Sequence, residues 1–136
     1  MTDDLTWLEN SIKRLKNEHY NGKTIVMIED NDDYVEYHKI FLDHFGYKVE
    51  SSWNGKDGFD LIKKIKPDIV ITDNHMPILS GVEMIDKIKS DSDLSKTKVY
   101  LLTVLEPEIH KADRVLLKPY NFDELLNSLE KDLLDD

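Results

Sequence analysis

Short apolar runs recur along this chain, and each is followed by a longer stretch whose apolar residues fall three or four apart. This switching between two hydrophobic periods constrains the fold more than any other feature of the sequence. The runs are Thr24 to Ile28, Tyr47 to Ser51, Asp68 to Thr72, Lys98 to Thr103 and Arg114 to Leu117. Between them lie Tyr34, Phe41 and Phe45, then Phe59, Ile62 and Ile65, then Met84, Ile85 and Ile88; Phe122, Leu125, Leu126, Leu129 and Leu133 close the chain. Gly46 stands where a helix ends, Ser80 and Asn121 where helices begin, and Pro67 just before a strand. Nearly continuous apolar strands alternating with amphipathic helices predict a parallel sheet covered on both faces. Right-handed crossovers then favour an α/β, doubly wound, flavodoxin-like sheet of five strands in the order 2-1-3-4-5.

A chain of 136 residues has room for one ordinary domain, and its longest apolar run is far short of a membrane span. The net charge of -10 disfavours phosphate backbones and anionic lipid, so neither nucleic acid nor membrane is an expected partner. The basic cluster Lys63, Lys64 and Lys66 reads as a solvated helix face. With no cysteine, and with Asp3 and Asp4 where a signal peptide would be basic, the expected location is cytoplasmic. Ahead of the first strand, Leu5, Leu8, Ile12 and Leu15 make one narrow helical stripe that Asn21-Gly22 would end. Residues 1–22 are therefore expected to form a helical extension, and residues 23–136 the domain itself. The stripe would pack on its own domain, pair with a second copy or bind a partner.

In an open parallel sheet, ligands bind beyond the carboxyl ends of the strands. Strand one ends in Glu29-Asp30, strand three in Asp73, strand four in Thr103 and strand five in Lys118-Pro119. Singly, acids cap helices, threonine suits strands and Lys-Pro is a common loop pair. Together on one edge, three carboxylates repel unless positive charge sits among them. Lys118 supplies one such charge, and hard oxygen ligands without thiolate or a His pair point to Mg2+ for the rest. His38 and His44 flank an apolar helix face, and His19 and His110 show no acid or histidine at ligand spacing, so all four read as structural or exposed. A carboxylate, a hard cation, a lysine and a hydroxyl suit phosphoryl transfer to Asp73, with Lys118 and Thr103 serving the phosphoryl oxygens.

The stretches IVMIEDN (25–31), DIVITDNHMPILSG (68–81), LLT (101–103) and VLLKPY (115–120) together resemble the receiver domain of two-component response regulators, over residues 23 to 134. The resemblance implies that Asp73 is the phosphoacceptor and Asp30 the main Mg2+ carboxylate. Glu29 would act through water, and His75 would contribute its backbone carbonyl to the metal. It assigns Thr103 and Lys118 as the switch hydroxyl and the phosphate-binding lysine, and it implies a cis peptide before Pro119. The protein would assist its own phosphotransfer and aspartyl-phosphate hydrolysis without being a metabolic enzyme.

Three departures stand out. Only fourteen residues separate Thr103 from Lys118, so the fourth helix is expected to be stunted or missing, and Leu101, Leu102 or Val115 to lose cover. The N-terminal stripe or a second subunit would fill that gap, which makes a homodimer through the N-terminal helix or the exposed sheet face one expectation. Val115 stands where the family often carries Tyr or Phe. Val104 stands where a small residue usually leaves the site accessible, and slow phosphorylation by small donors follows. The leading reading is a stand-alone receiver, charged by a histidine kinase or histidine phosphotransfer protein and acting on a downstream protein. A constitutive interaction module of the same fold is the alternative. An aspartate-nucleophile phosphohydrolase would need a second acid at the position that His75 occupies.

Overall fold

A computed structural model describes residues 22–76, 78–108 and 110–134. In chain order the elements are β1 (Thr24–Ile28), α1 (Asp32–His44), β2 (Lys48–Ser52), α2 (Gly55–Ile65), β3 (Ile69–Asp73), α3 (Gly81–Lys89), a 3-10 turn (Ser92–Leu94), β4 (Lys98–Thr103), β5 (Arg114–Leu117) and α4 (Phe122–Leu134). The five strands are parallel in the order β2-β1-β3-β4-β5, as the sequence pattern predicts. Strands β2 and β3 begin one residue later than the apolar runs, within the ordinary uncertainty of strand ends.

Alternation along each strand divides the core in two. Ile25, Met27, Ile69, Ile71, Tyr100, Leu102 and Leu116 face α1 and α4, where they meet Leu42, Phe45, Leu125, Leu126 and Leu129. Val26, Ile28, Val70, Val99 and Leu101 face α2 and α3, where they meet Ile62, Met84, Ile85 and Ile88. Helix ends follow local chemistry. Asn31 and Asn54 cap α1 and α2 by accepting from Tyr34 N and Asp57 N, and Ser80 and Glu83 form a reciprocal capping box on α3. Asn121 Oδ1 accepts from Glu124 N at 2.9 Å at the start of α4.

The ten residues 104–113 join β4 to β5, and those described contain no helix. Ten residues must descend the full height of the sheet, which extended chain can span more easily than a helix rising 1.5 Å per residue. The loss of cover is only partly where the sequence placed it. Leu101 and Leu102 are fully buried, the first packed toward Gly81 at the head of α3 and the second on the α4 side of the sheet. Val115 is half-buried, with Ala112 packed against the same cluster. Instead Leu117, at the far end of edge strand β5, stands 50% exposed. Half-covering one leucine forgoes about 1 kcal/mol, a cost a domain of this size absorbs. The expected N-terminal helix lies outside the described residues, and with it the stripe, His19 and the proposed cover.

Candidate functional site

Register brings the polar strand ends together. Ile28 pairs with Thr72, Asp73 with Leu102, and Thr103 with Leu117. Glu29, Asp73, Thr103 and Lys118 therefore leave the sheet along one edge, each at or just past its strand's last residue. Asp73 ends a wholly buried strand and is itself only 7% exposed.

Glu29, Asp30 and Asp73 each offer a carboxylate oxygen within 4.8 Å of the others, with Glu29 and Asp73 buried and Asp30 exposed. Lys118 Nζ donates to Asp73 Oδ1 at 3.0 Å and to Glu29 Oε1 at 3.3 Å. The backbone N–H of Asn31 donates to Glu29 Oε2 at 3.3 Å. Burial raises the Glu29 carboxyl above its usual range, and the adjacent Asp30 and Asp73 carboxyls push the same way against Lys118 and the Asn31 N–H. Burial works against the Lys118 charge, but its hydrogen bond to Asp73 and the negative charges of Glu29 and Asp73 prevail, so the ammonium is held above an ordinary lysine. One ammonium among three acids leaves the cluster anionic. Crowded hard oxygens with a charge deficit fit a divalent cation such as Mg2+.

The loop after β3 is built to hold Asp73. Asn74 N donates to Leu102 O, Asn74 O accepts from Gly81 N at 3.0 Å, and Asn74 Oδ1 accepts from Val82 N at 3.2 Å, which pins the head of α3 to the strand end. A Cβ on Gly81 would lie 2.5 Å from Asp73 O, so this close approach admits only glycine. Ile78, in the same loop, has φ of 74° and is 74% exposed, an unfavourable backbone for a β-branched residue beside the site. His75 is exposed in the bend that follows Asp73.

Thr103 is buried, and its hydroxyl donates to Leu105 O at 3.0 Å. Val104 lies on the rim beside it, 72% exposed. The Lys118–Pro119 peptide is cis. Of the histidines, His38 is buried and His44 exposed. His110 does have an acidic neighbour, since its Nε2 lies 2.9 Å from Glu106 Oε2 one helical spacing earlier; the sequence reading overlooked that pair. Helical spacing groups Tyr34 with Phe41 and Phe45 on an apolar face, whereas the Lys118 ammonium sits 4.9 Å from the centre of the Tyr34 ring. The signal was available: Tyr34 stands one turn into the helix that follows the Glu29-Asp30 pair.

Among the described residues, no helix is long and apolar enough to cross a membrane. The family model for the response regulator receiver domain matches residues 25–130. The transcriptional regulatory protein CrdR of Helicobacter pylori is 27% identical over 120 residues, which cover 84% of this chain and 56% of that protein. The chain spans little more than half the length, or less, of the first curated relatives it matches. Among solved structures, the signal receiver domain of a signal transduction histidine kinase from Syntrophus aciditrophicus superposes with a TM-score of 0.78 at 27% identity, covering 82% of this chain and 90% of that one. The response regulator TrrA from Thermotoga maritima, solved in complex with Mg2+-BeF, gives 0.75 at 29% identity, covering 82% and 99%. The match over most of its length and the five-stranded sheet together place this chain in the response regulator receiver domain family.

Proposed function

We propose that this chain is a phosphorylation-dependent signalling switch. It accepts a phosphoryl group on Asp73 from a phosphohistidine of a histidine kinase or histidine phosphotransfer protein, and its output is a protein–protein contact. The observation that carries the reading is the setting of Asp73, nearly buried with one oxygen bound by Lys118 at 3.0 Å and two more carboxylates within 4.8 Å.

An Asp73 oxygen attacks phosphorus in line with the histidine nitrogen. The new O–P bond forms as the P–N bond breaks, and the imidazole nitrogen keeps the electron pair and is free to take a proton from solvent. Lys118 offsets charge on the equatorial oxygens. The Thr103 hydroxyl serves one of those oxygens after exchanging its bond to Leu105 O for the phosphoryl group. Glu29, Asp30 and Asp73, with the carbonyl of His75, would hold Mg2+. The cation supplies charge neutralisation for the transferring group. The family's phosphoryl chemistry and the Mg2+-BeF complex of TrrA support this reading.

A second reading, a constitutive interaction module, draws on the lack of a helix among the described residues of 104–113 and on the bond that ties Thr103 to Leu105. One experiment separates the two. Acetyl phosphate or a phosphorylated histidine donor should add one phosphoryl group to the wild type with Mg2+, none without it, and none to Asp73→Asn. A wild type that stays unlabelled by both donors ends the first reading in favour of the second.

A further inference from the structure

His38 is a buried histidine that phosphoryl transfer does not use, and it touches both Tyr34, whose ring lies under the Lys118 ammonium, and Tyr120, two residues beyond Lys118. Its Nδ1 lies 2.8 Å from Tyr34 O, and its Nε2 is hydrogen-bonded to the hydroxyl of Tyr120. A carbonyl can only accept, so Nδ1 carries the proton. Burial pushes the imidazole below its ordinary value against the opposing bond to Tyr34 O, and the Lys118 charge adds to the burial effect, which favours the neutral ring. Nε2 is then a bare lone pair, and Tyr120 is the donor to it. Burial also keeps the Tyr120 phenol protonated, and the neighbouring Tyr34 phenol reinforces this.

These contacts secure both ends of Lys118. Its ammonium rests 4.9 Å from the centre of the Tyr34 ring, inside cation–π range, while that ring packs 4.4 Å from the His38 ring. Its backbone runs through the cis peptide to Tyr120, two residues on, which His38 ties to α1. A lysine on a flexible four-carbon stem has many rotamers to lose, and the sheet alone offers it only the two carboxylates. We propose that Tyr34, His38 and Tyr120 form a clamp that positions the Lys118 ammonium at Asp73. In it, Tyr34 is the surface the ammonium rests on and His38 is the anchor. The clamp's effect on phosphoryl chemistry rests on the reading of Asp73 as phosphoacceptor, whereas its geometry does not.

The test has two arms on the full chain. In metal-free protein, NMR should show the Lys118 side-chain methylene protons shifted upfield by the Tyr34 ring. Tyr34→Phe should keep that shift and Tyr34→Leu should abolish it. Tyr120→Phe, which deletes one oxygen and leaves every ring in place, should move those protons back toward ordinary lysine positions. If Tyr120→Phe and His38→Asn both leave the Lys118 signals unmoved, the histidine is packing and the clamp is wrong. In the second arm, beryllofluoride with saturating Mg2+ should bind Tyr34→Leu and Tyr120→Phe about two- to tenfold more weakly than wild type, with Mg2+ affinity unchanged and Tyr34→Phe close to wild type. Equal binding by wild type and all variants overturns the clamp. A wild type that binds no beryllofluoride overturns the phosphoacceptor reading instead, and the NMR arm still decides the clamp.

Discussion

Lys118 and Asp73 meet at 3.0 Å across β4, which lies between their strands, so the strand order itself brings this ammonium and this carboxylate together. The contact requires both chains to leave the sheet at the same height. Lys118→Ala should therefore leave Asp73 and Glu29 facing each other without a counter-ion. We expect stability to fall by about 1–3 kcal/mol in metal-free protein, with part of the loss recovered on adding Mg2+; urea melts with and without the cation check this.

Asp30 should show the opposite sign. It is exposed, stands in the acidic trio, and no hydrogen bond ties it to Lys118 as one ties Asp73 and Glu29. Asp30→Asn should relieve repulsion and raise the metal-free Tm by roughly 2–4 °C. The Mg2+-induced rise in Tm should shrink, because one ligand has lost its charge. A variant that melts lower than wild type without metal would show that repulsion is not what the cluster stores.

Gly81→Ala tests the close approach behind Asp73. The added methyl would lie 2.5 Å from Asp73 O and 2.9 Å from Asn74 Cα, and neither backbone atom can yield cheaply. The expected cost is about 1–3 kcal/mol, together with slower labelling of Asp73 because its carboxylate is displaced. Chemical denaturation and a labelling time course measure the two effects separately.

At the other end of the sheet, Asp132 accepts from Arg114 Nε at 2.7 Å and Nη2 at 3.0 Å, and from the Tyr100 hydroxyl. Burial alone would raise this carboxyl, but the bonds from Arg114 and Tyr100 outweigh it and hold it below 3.8. A depressed carboxyl contributes stability above its unfolded value, and that stability is lost as pH falls through the folded value. Wild type should therefore lose stability on acidification below about pH 4. Asp132→Asn should lose less over that range and be weaker by about 1–2 kcal/mol at pH 7, a figure reduced for the pair's partial exposure. Thermal melts from pH 7 to pH 2.5 would reveal the two slopes.

Val104 bears on access. If its branched side chain on the rim slows small donors, Val104→Ala should speed labelling by acetyl phosphate, and unchanged rates would remove it from the account.

The period switch from two to 3.6 was sufficient for the sheet, its order and the edge where Glu29, Asp73, Thr103 and Lys118 gather, because strand burial and crossover handedness leave few alternatives. The short Thr103–Lys118 spacing was sufficient to expect a stunted or missing fourth helix, and the described residues between β4 and β5 hold none. What escaped were facts of rotamer and face. Leu101 stays covered because it reaches toward Gly81, and Leu117 is exposed because it ends an edge strand. Helical periodicity sets Tyr34 on the apolar face and His38 at its flank, but it does not say that one ring lies under an ammonium and the other is buried and bonds a tyrosine 82 residues away.

That the described residues between β4 and β5 hold no helix has a mechanical meaning. A helix there would act as a stiff rod, able to pivot and lever whatever touches it. Non-helical peptide carries tension along its length but little torque. Thr103 is instead joined to β5 through the sheet itself, since Lys118 N donates to Thr103 O at 2.8 Å, so a displacement of the hydroxyl-bearing strand end would reach the lysine without passing through the connection.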